Sequence, residues 1–141
     1  MQYRSTRGES PAVSFSEALL AGLAPDGGLY VPTEWPQFAP GDFTAGASLA
    51  AAARTLIAPF TAGDMLAAAL DEITAEAFNF PAPLVPVGQA DYSVLELFHG
   101  PTAAFKDFGA RFLAASLARL RPAGARPLEI LVATSGDTGG A

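Results

Sequence analysis

Cysteine is absent from the 141 residues, which excludes disulfide bonds and thiolate chemistry. The chain has one histidine, His99, and a single histidine without a paired ligand argues against a zinc site. Lysine is equally scarce, since the eight basic residues are seven arginines and Lys106. A bias towards arginine and alanine explains this scarcity. Any reaction that needs a side-chain amine nevertheless has one candidate in this chain.

Basic clusters and long apolar runs are also missing. The net charge is −6 and the sequence pI about 4.5, which argues against nucleic acid as a partner because that binding relies on lysine and arginine. No apolar run approaches the roughly 20 residues of a membrane helix, and the N-terminus lacks a signal-peptide pattern. We therefore expect a soluble, cytoplasmic protein with no membrane partner. The sequence carries no signature of a particular oligomeric state.

Local patterns in the first 82 residues predict a small α+β domain. Ser14 and Glu17 form a capping-box pattern, and the helix that they open is predicted to stop at the Pro25–Gly28 turn. The other predicted elements are a strand at Gln2–Thr6, a short buried strand at Leu29–Val31, and helices at Ser48–Ile57 and Gly63–Glu72. In the last helix Met65, Leu66, Ala69, Leu70 and Ile73 share one face.

Residues 83–141 show a different pattern, typical of the start of a βαβ unit. Two strands, Leu84–Val87 and Tyr92–Phe98, are predicted to join around Gly88–Asp91. A helix over Asp107–Arg121, with a favourable Asp107–Arg111 pair, is followed by an apolar run at Leu128–Ala133 that is typical of a parallel strand. Such a strand needs neighbours, and its glycine turn should feed a crossover helix. The fold class is therefore mixed α/β, and we expect residues 83–141 to be an incomplete domain of a fragment.

The first chemical motif runs from Glu96 through a Gly-Pro loop to Lys106 and Asp107, at a predicted helix start. A lysine is unusual there because the helix dipole favours anions at the N-terminus. The same field, with the flanking phenylalanines, disfavours the ammonium form, and a neutral amine is what reaction with a carbonyl cofactor requires. A surface lysine balanced by Asp107 is the alternative interpretation.

The second motif is Ser135-Gly-Asp-Thr-Gly139, directly after the predicted parallel strand. Glycines in such a turn let backbone amides approach a phosphate or carboxylate, and open α/β sheets bind ligands at this edge. It is neither a P-loop nor a dinucleotide fingerprint. An ordinary turn with Asp137 as a helix N-cap is the alternative.

Together these motifs identify a family resemblance. His99-Gly-Pro-Thr-Ala-Ala-Phe-Lys-Asp-Phe-Gly109 and Ala133-Thr-Ser-Gly-Asp-Thr-Gly139 closely resemble the threonine synthase family, and Tyr3–Gly8 and Asp26–Pro32 resemble its N-terminal domain. The resemblance implies a fold-type-II enzyme that uses pyridoxal 5'-phosphate (PLP). It would be a carbon–oxygen lyase that converts O-phosphohomoserine and water into threonine and phosphate, the last step of threonine biosynthesis.

The resemblance also implies roles for individual residues. Lys106 matches the lysine that holds the cofactor in a Schiff base and moves protons on the substrate. The loop that receives the substrate's α-carboxylate corresponds to Ser135, Gly136, Asp137, Thr138 and Gly139, and Thr102 would line the site. An ionised Asp137 would repel a carboxylate, so we expect the contact from backbone amides, Ser135 and Thr138. For His99 a structural role is favoured, and Arg7 is either functional or an anchor of the first strand.

The family's glycine-rich loop for the cofactor phosphate should lie beyond Ala141, so the chain alone is expected to be inactive. Two alternatives stay open. One is a related phospho-lyase, which eliminates phosphate and releases a 2-oxo acid. The other is a non-catalytic module that binds a small anion through the Ser135 loop.

Overall fold

The computed structural model describes residues 1–88, 91–122, 124–126 and 129–141. In chain order the elements are β1 (Tyr3–Ser5), α1 (Phe15–Ala21), β2 (Tyr30–Pro32), α2 (Leu49–Ile57), α3 (Leu70–Ala77), β3 (Leu84–Pro86), β4 (Ser93–Leu95), α4 (Lys106–Leu120) and α5 (Asp137–Gly140). Three 3-10 turns lie between them, at Pro40–Asp42, Ala58–Thr61 and Met65–Ala69. The mixed α/β class predicted from the sequence is confirmed. No helix in these ranges is long and apolar enough to cross a membrane.

The first strand pair confirms the strand that was predicted near the N-terminus. β1 and β2 are antiparallel, with Arg4 opposite Val31, and Tyr3 also forms an isolated bridge to Val13. The second strand lies one residue later than predicted. Its three residues are half-buried rather than buried, and Leu29, which was predicted to belong to the strand, is 59% exposed.

Helix α1 begins at the predicted capping box. The Ser14 amide donates to Glu17 Oε2 at 2.8 Å and the Glu17 amide donates to Ser14 Oγ at 3.3 Å. The helix ends earlier than predicted because Gly22 takes a positive φ of 69°, which stops the α-helical ladder. Leu23 lies beyond the helix, and both it and Leu20 within the helix are exposed.

Helix α2 begins where it was predicted, with Ser48 as its N-cap. The predicted helix Gly63–Glu72 is wrong in its first residue and in the face that it buries. Asp64 caps a 3-10 turn at Met65–Ala69, and Ala69 (φ −100°, ψ 3°) interrupts the backbone before α3 begins. Met65 consequently points outward and is 70% exposed. Leu66, Leu70 and Ile73 are buried as predicted.

Helix α4 closes the core over the N-terminal elements. Phe112 packs against both core clusters, one centred on Ala77 and Phe78 and the other on Ile73 and Ala115. Its ring stacks on Phe78, with the centroids 6.1 Å apart. Because α4 contacts both α1 and α3, the two sequence halves share apolar contacts. The proposed boundary between residues 82 and 83 stays a prediction.

The predicted hairpin forms, whereas the predicted parallel strand does not. β3 and β4 pair antiparallel with Val85 opposite Val94; Gln89 and Ala90 of the joining turn lie outside the described residues. Leu128 of the predicted Leu128–Ala133 strand also lies outside them, and residues 129–133 form no strand. A parallel strand depends on ladder bonds to a neighbour, and the described residues give this segment no pairing strand.

Candidate active site

Lys106 is the first residue of α4. The preceding residue, Phe105, already has helical torsion angles (φ −61°, ψ −14°) and makes no side-chain capping bond. Lys106 Nζ lies 4.2 Å from the centroid of the Phe105 ring, within the range of a cation–π contact. The amine therefore lies against an aromatic face at the N-terminal end of the helix.

A mostly apolar cleft of about 620 Å³ brings the two sequence motifs together. Lys106 lines it, and so do Thr138 and Gly139 of the second motif. Further walls come from Phe105, Phe108, Leu113, Ile130 and Val132. The predicted cofactor lysine and part of the predicted substrate loop thus share one cavity, although Gly139 lies 33 positions after Lys106 in the sequence.

The turn that carries the second motif is exposed. Gly136 has a φ of 144°, and its amide donates to Thr134 Oγ1 at 3.1 Å. Helix α5 starts at Asp137, and the amides of Gly139 and Gly140 donate to the Gly136 carbonyl at 3.1 and 3.0 Å. Ser135, Gly136 and Asp137 lie beside the cleft without lining it.

Thr102 is bound to a buried carboxylate. Its amide donates to Asp107 Oδ2 at 3.0 Å and its hydroxyl donates to Asp107 Oδ1 at 2.9 Å. Asp107 is 1% exposed, and Gly100 lies so close that an added Cβ would meet Asp107 Cγ at 2.8 Å. The hydroxyl of Thr102 is thus engaged with the protein, and its role as a substrate contact stays a prediction.

The expected Asp107–Arg111 ion pair is wrong. Arg111 Nε donates to the carbonyl of Ala77 at 2.9 Å, and Nη2 donates to the carbonyl of Glu76 at 2.8 Å. These are unsatisfied carbonyls at the C-terminal end of α3, which favour a cation. Asp107 therefore binds Thr102, and Arg111 binds the carbonyls at the end of α3.

His99 and Arg7 both make contacts within the protein. His99 Nε2 lies 2.6 Å from Glu96 Oε2, and its ring lies against Phe98 at 4.7 Å. Arg7 Nη1 donates to the backbone carbonyl of Asp26 at 2.9 Å. These contacts favour the structural interpretation of His99 and the anchoring interpretation of Arg7.

The sequence interpretation missed the contact of Asp107 with Thr102 and Gly100. The sequence did carry a signal for this contact, because Thr102 of Gly-Pro-Thr lies five positions before Asp107 at the predicted helix start. A threonine and an acidic residue in the first turn also form a capping box, in which they are three positions apart. The apolar walls at Ile130 and Val132 were also missed, because that segment was interpreted as a buried strand.

Comparison with known proteins gives consistent matches. Residues 2–78 match a family model described as threonine synthase N terminus. Over its whole length the chain is 42% identical to a threonine synthase of Pseudomonas aeruginosa and 39% identical to one of Escherichia coli. It covers 31% and 33% of those two proteins and so spans about a third of the length of the curated relatives that it matches.

Two solved structures have the same fold in this region. A crystal structure of threonine synthase from Escherichia coli superposes with a TM-score of 0.85 and 38% identity, covering 99% of this chain and 32% of that one. A PLP-bound threonine synthase from Brucella melitensis gives a TM-score of 0.76 and 46% identity, covering 85% of this chain and 27% of that one. They confirm the predicted fold, a small α+β unit followed by the start of a fold-type-II domain.

Proposed function

The chain belongs to the threonine synthase family, and from this we propose that its protein uses PLP to convert O-phosphohomoserine and water into threonine and phosphate. In the overall reaction the Cγ–O bond breaks and phosphate leaves, Cβ loses one proton and bonds to the hydroxyl of water, Cγ gains one proton, and the remaining proton of water goes to the phosphate. The enzyme is then a carbon–oxygen lyase of threonine biosynthesis.

The observation that carries this proposal is the meeting of the two motifs at one cleft. The chain's single lysine stands at the start of α4, and Thr138 and Gly139 line the same cavity. A covalently held cofactor and a substrate carboxylate need such neighbouring positions. A surface lysine and an unrelated turn would not be expected to line the same cavity.

The residues around Lys106 fit a cofactor with a carbonyl group and an aromatic ring. Lys106 supplies the amine that would hold the cofactor, while Phe105, Phe108 and Leu113 offer the ring an apolar wall. When bound, PLP draws away the electron pair that remains after the substrate's Cα loses a proton.

The protein's own groups then bind the substrate and move protons. The amine of Lys106 takes and returns protons at the substrate's Cα and Cβ. Backbone amides of the 135–139 turn, with the hydroxyls of Ser135 and Thr138, bind the α-carboxylate. Asp137 contributes its amide, because its ionised side chain would repel the substrate carboxylate.

The test is a product assay on the protein expressed from its own gene, supplied with PLP and O-phosphohomoserine. We expect phosphate and threonine in equal amounts, and a loss of at least about 10³-fold in Lys106→Ala and in Lys106→Arg. Arginine keeps the positive charge but lacks the amine, so the pair separates chemistry from electrostatics. Circular dichroism checks that both variants are folded.

The other outcomes would change the proposal. Phosphate with a 2-oxo acid and no threonine would identify a phospho-lyase. If the wild-type protein releases no phosphate and PLP titration gives no spectral change that depends on Lys106, the chain is a non-catalytic anion-binding module instead.

A further inference from the structure

We propose that Asp107 is a positioning residue, which acts through Thr102 and Gly100 to aim the Lys106 amine into the cleft. The inference rests on the proposed function of Lys106. It concerns a side chain that lines no part of the cleft but lies directly after the lysine in sequence.

Asp107 is a buried carboxylate without a basic partner. In the described part of the chain no lysine, arginine or histidine nitrogen lies within 4.0 Å of it. Its partners are the amide and hydroxyl of Thr102 and the positive end of α4. Burying a charge is costly unless it is fully hydrogen-bonded, so such a group requires an explanation beyond helix stability.

The contacts of Asp107 shape the loop that leads to Lys106. Gly100 packs on the carboxylate with no room for a Cβ, and Ala103 takes a left-handed φ of 55°, which residues other than glycine rarely adopt. Two hydrogen bonds from Thr102 hold this bent loop against the first turn of α4. The loop and the helix start therefore form one rigid unit.

The same contacts fix the rotation of α4 about its axis. Asp107 and Arg111 are four residues apart and so lie on one face of the helix. Asp107 binds the loop, and Arg111 binds the carbonyls at the end of α3. Consecutive helical residues differ by about 100° in direction. Because Asp107 is fixed inward, Lys106 is directed to the adjacent face, where the cleft lies.

The test measures how fast PLP is captured by Lys106, using the protein expressed from its own gene. PLP is added, the adduct is trapped by borohydride, and peptide mass spectrometry quantifies label at Lys106. These 141 residues contain no other lysine, so label on the peptide that carries Lys106 is assigned to one side chain, and the N-terminal amine serves as an internal reference. Rates are normalised to the folded fraction from urea titrations.

Asp107→Asn keeps the size of the side chain but removes its charge and one acceptor. Gly100→Ala places a methyl group against the carboxylate. We expect both to slow capture per folded molecule by about tenfold to a hundredfold, the effect of a displacement near 1 Å. If Asp107→Asn does not fold, Thr102→Val carries the test, since it removes the hydroxyl bond alone.

The matched control is Asp71→Asn. Asp71 is also the second residue of its helix, α3, but its side chain is 75% exposed and paired with Arg54. Its removal should change the capture rate less than twofold. Capture rates per folded molecule equal to wild type in the Asp107 and Gly100 variants would overturn the positioning role. Equal trapping of PLP in Lys106→Ala would instead refute the proposed function, whatever Asp107→Asn does.

Discussion

At the scale of single residues, Asp26 holds the first turns of the chain together. Its carboxylate accepts hydrogen bonds from Ser5 Oγ at 2.7 Å, the Gly28 amide at 2.9 Å and the Glu9 amide at 3.1 Å. The Ser5 bond is the main reason that the pKa of Asp26 falls from 3.8 to about 2; desolvation, the second-largest effect, opposes it, and the bonds from Gly28, Ser10 and Glu9 lower the pKa further. The ionised form is therefore the one that binds the loop.

This pKa shift predicts a pH dependence of stability. A carboxylate with a lowered folded-state pKa contributes stability above its unfolded pKa, and that stability is lost as pH falls through the folded value. Urea titrations from pH 5 to pH 2 should show the free energy of unfolding declining below about pH 4, more steeply in wild type than in Asp26→Asn. Parallel curves for the two proteins would contradict the assignment to Asp26.

At the scale of elements, Asp64 joins α1 to the turn that precedes α3. Its side chain accepts from the Ser16 amide at 2.9 Å, the Leu66 amide at 2.9 Å and the Ser16 hydroxyl. Burial alone would raise the pKa of Asp64, but these hydrogen bonds outweigh it and lower the pKa. One side chain thus caps one turn and fixes the start of another helix.

Asp64→Ala should lower the free energy of unfolding by about 1–3 kcal/mol, because it leaves partly buried donors without an acceptor. The matched control is Asp42→Ala, which removes an exposed carboxylate that accepts only from the Ala39 amide in the described residues. That variant should lose less than about 1 kcal/mol. Urea denaturation measures both, and equal losses would show that Asp64 is an ordinary cap.

The elements also show which features a sequence can predict. The Ser14–Glu17 cap, the helix that starts near Ser48 and the β3–β4 hairpin depend on residues close in sequence, and all three predictions are confirmed. The prediction of a strand at Leu128–Ala133 was wrong over residues 129–133, because a parallel strand depends on partners that are distant in sequence.

The predictions for the candidate site also divide into local features, which were correct, and features that depend on the folded chain, which were not. The motifs predicted Lys106 at a helix start, and the structure has it there. The Asp107–Arg111 pair has the right spacing for a helix, but Thr102 and the end of α3 compete for its two members. Such competition arises only when the chain folds, so spacing alone could not reveal it.

At the scale of the whole molecule, Phe112 connects the two sequence halves. It packs against both core clusters and lies near Phe15 and Phe78. The cleft at Lys106 is built on the same helix, so its geometry depends on how firmly α4 holds to α1 and α3. A separate C-terminal unit could lose that packing while the N-terminal elements stayed folded.

Phe112→Ala should lower the free energy of unfolding by about 3–5 kcal/mol, as expected when a large core side chain is removed. Phe98→Ala is the control, since Phe98 is 54% exposed and should cost less than about 1 kcal/mol. We expect urea transitions followed by far-ultraviolet circular dichroism and by Trp35 fluorescence to coincide in wild type and in both variants. Two separated transitions, of which Phe112→Ala shifts only the one seen by circular dichroism, would mean that the boundary near residue 82 divides independent folding units. Coincident transitions would mean that Lys106 stands on a helix whose stability is that of the whole chain.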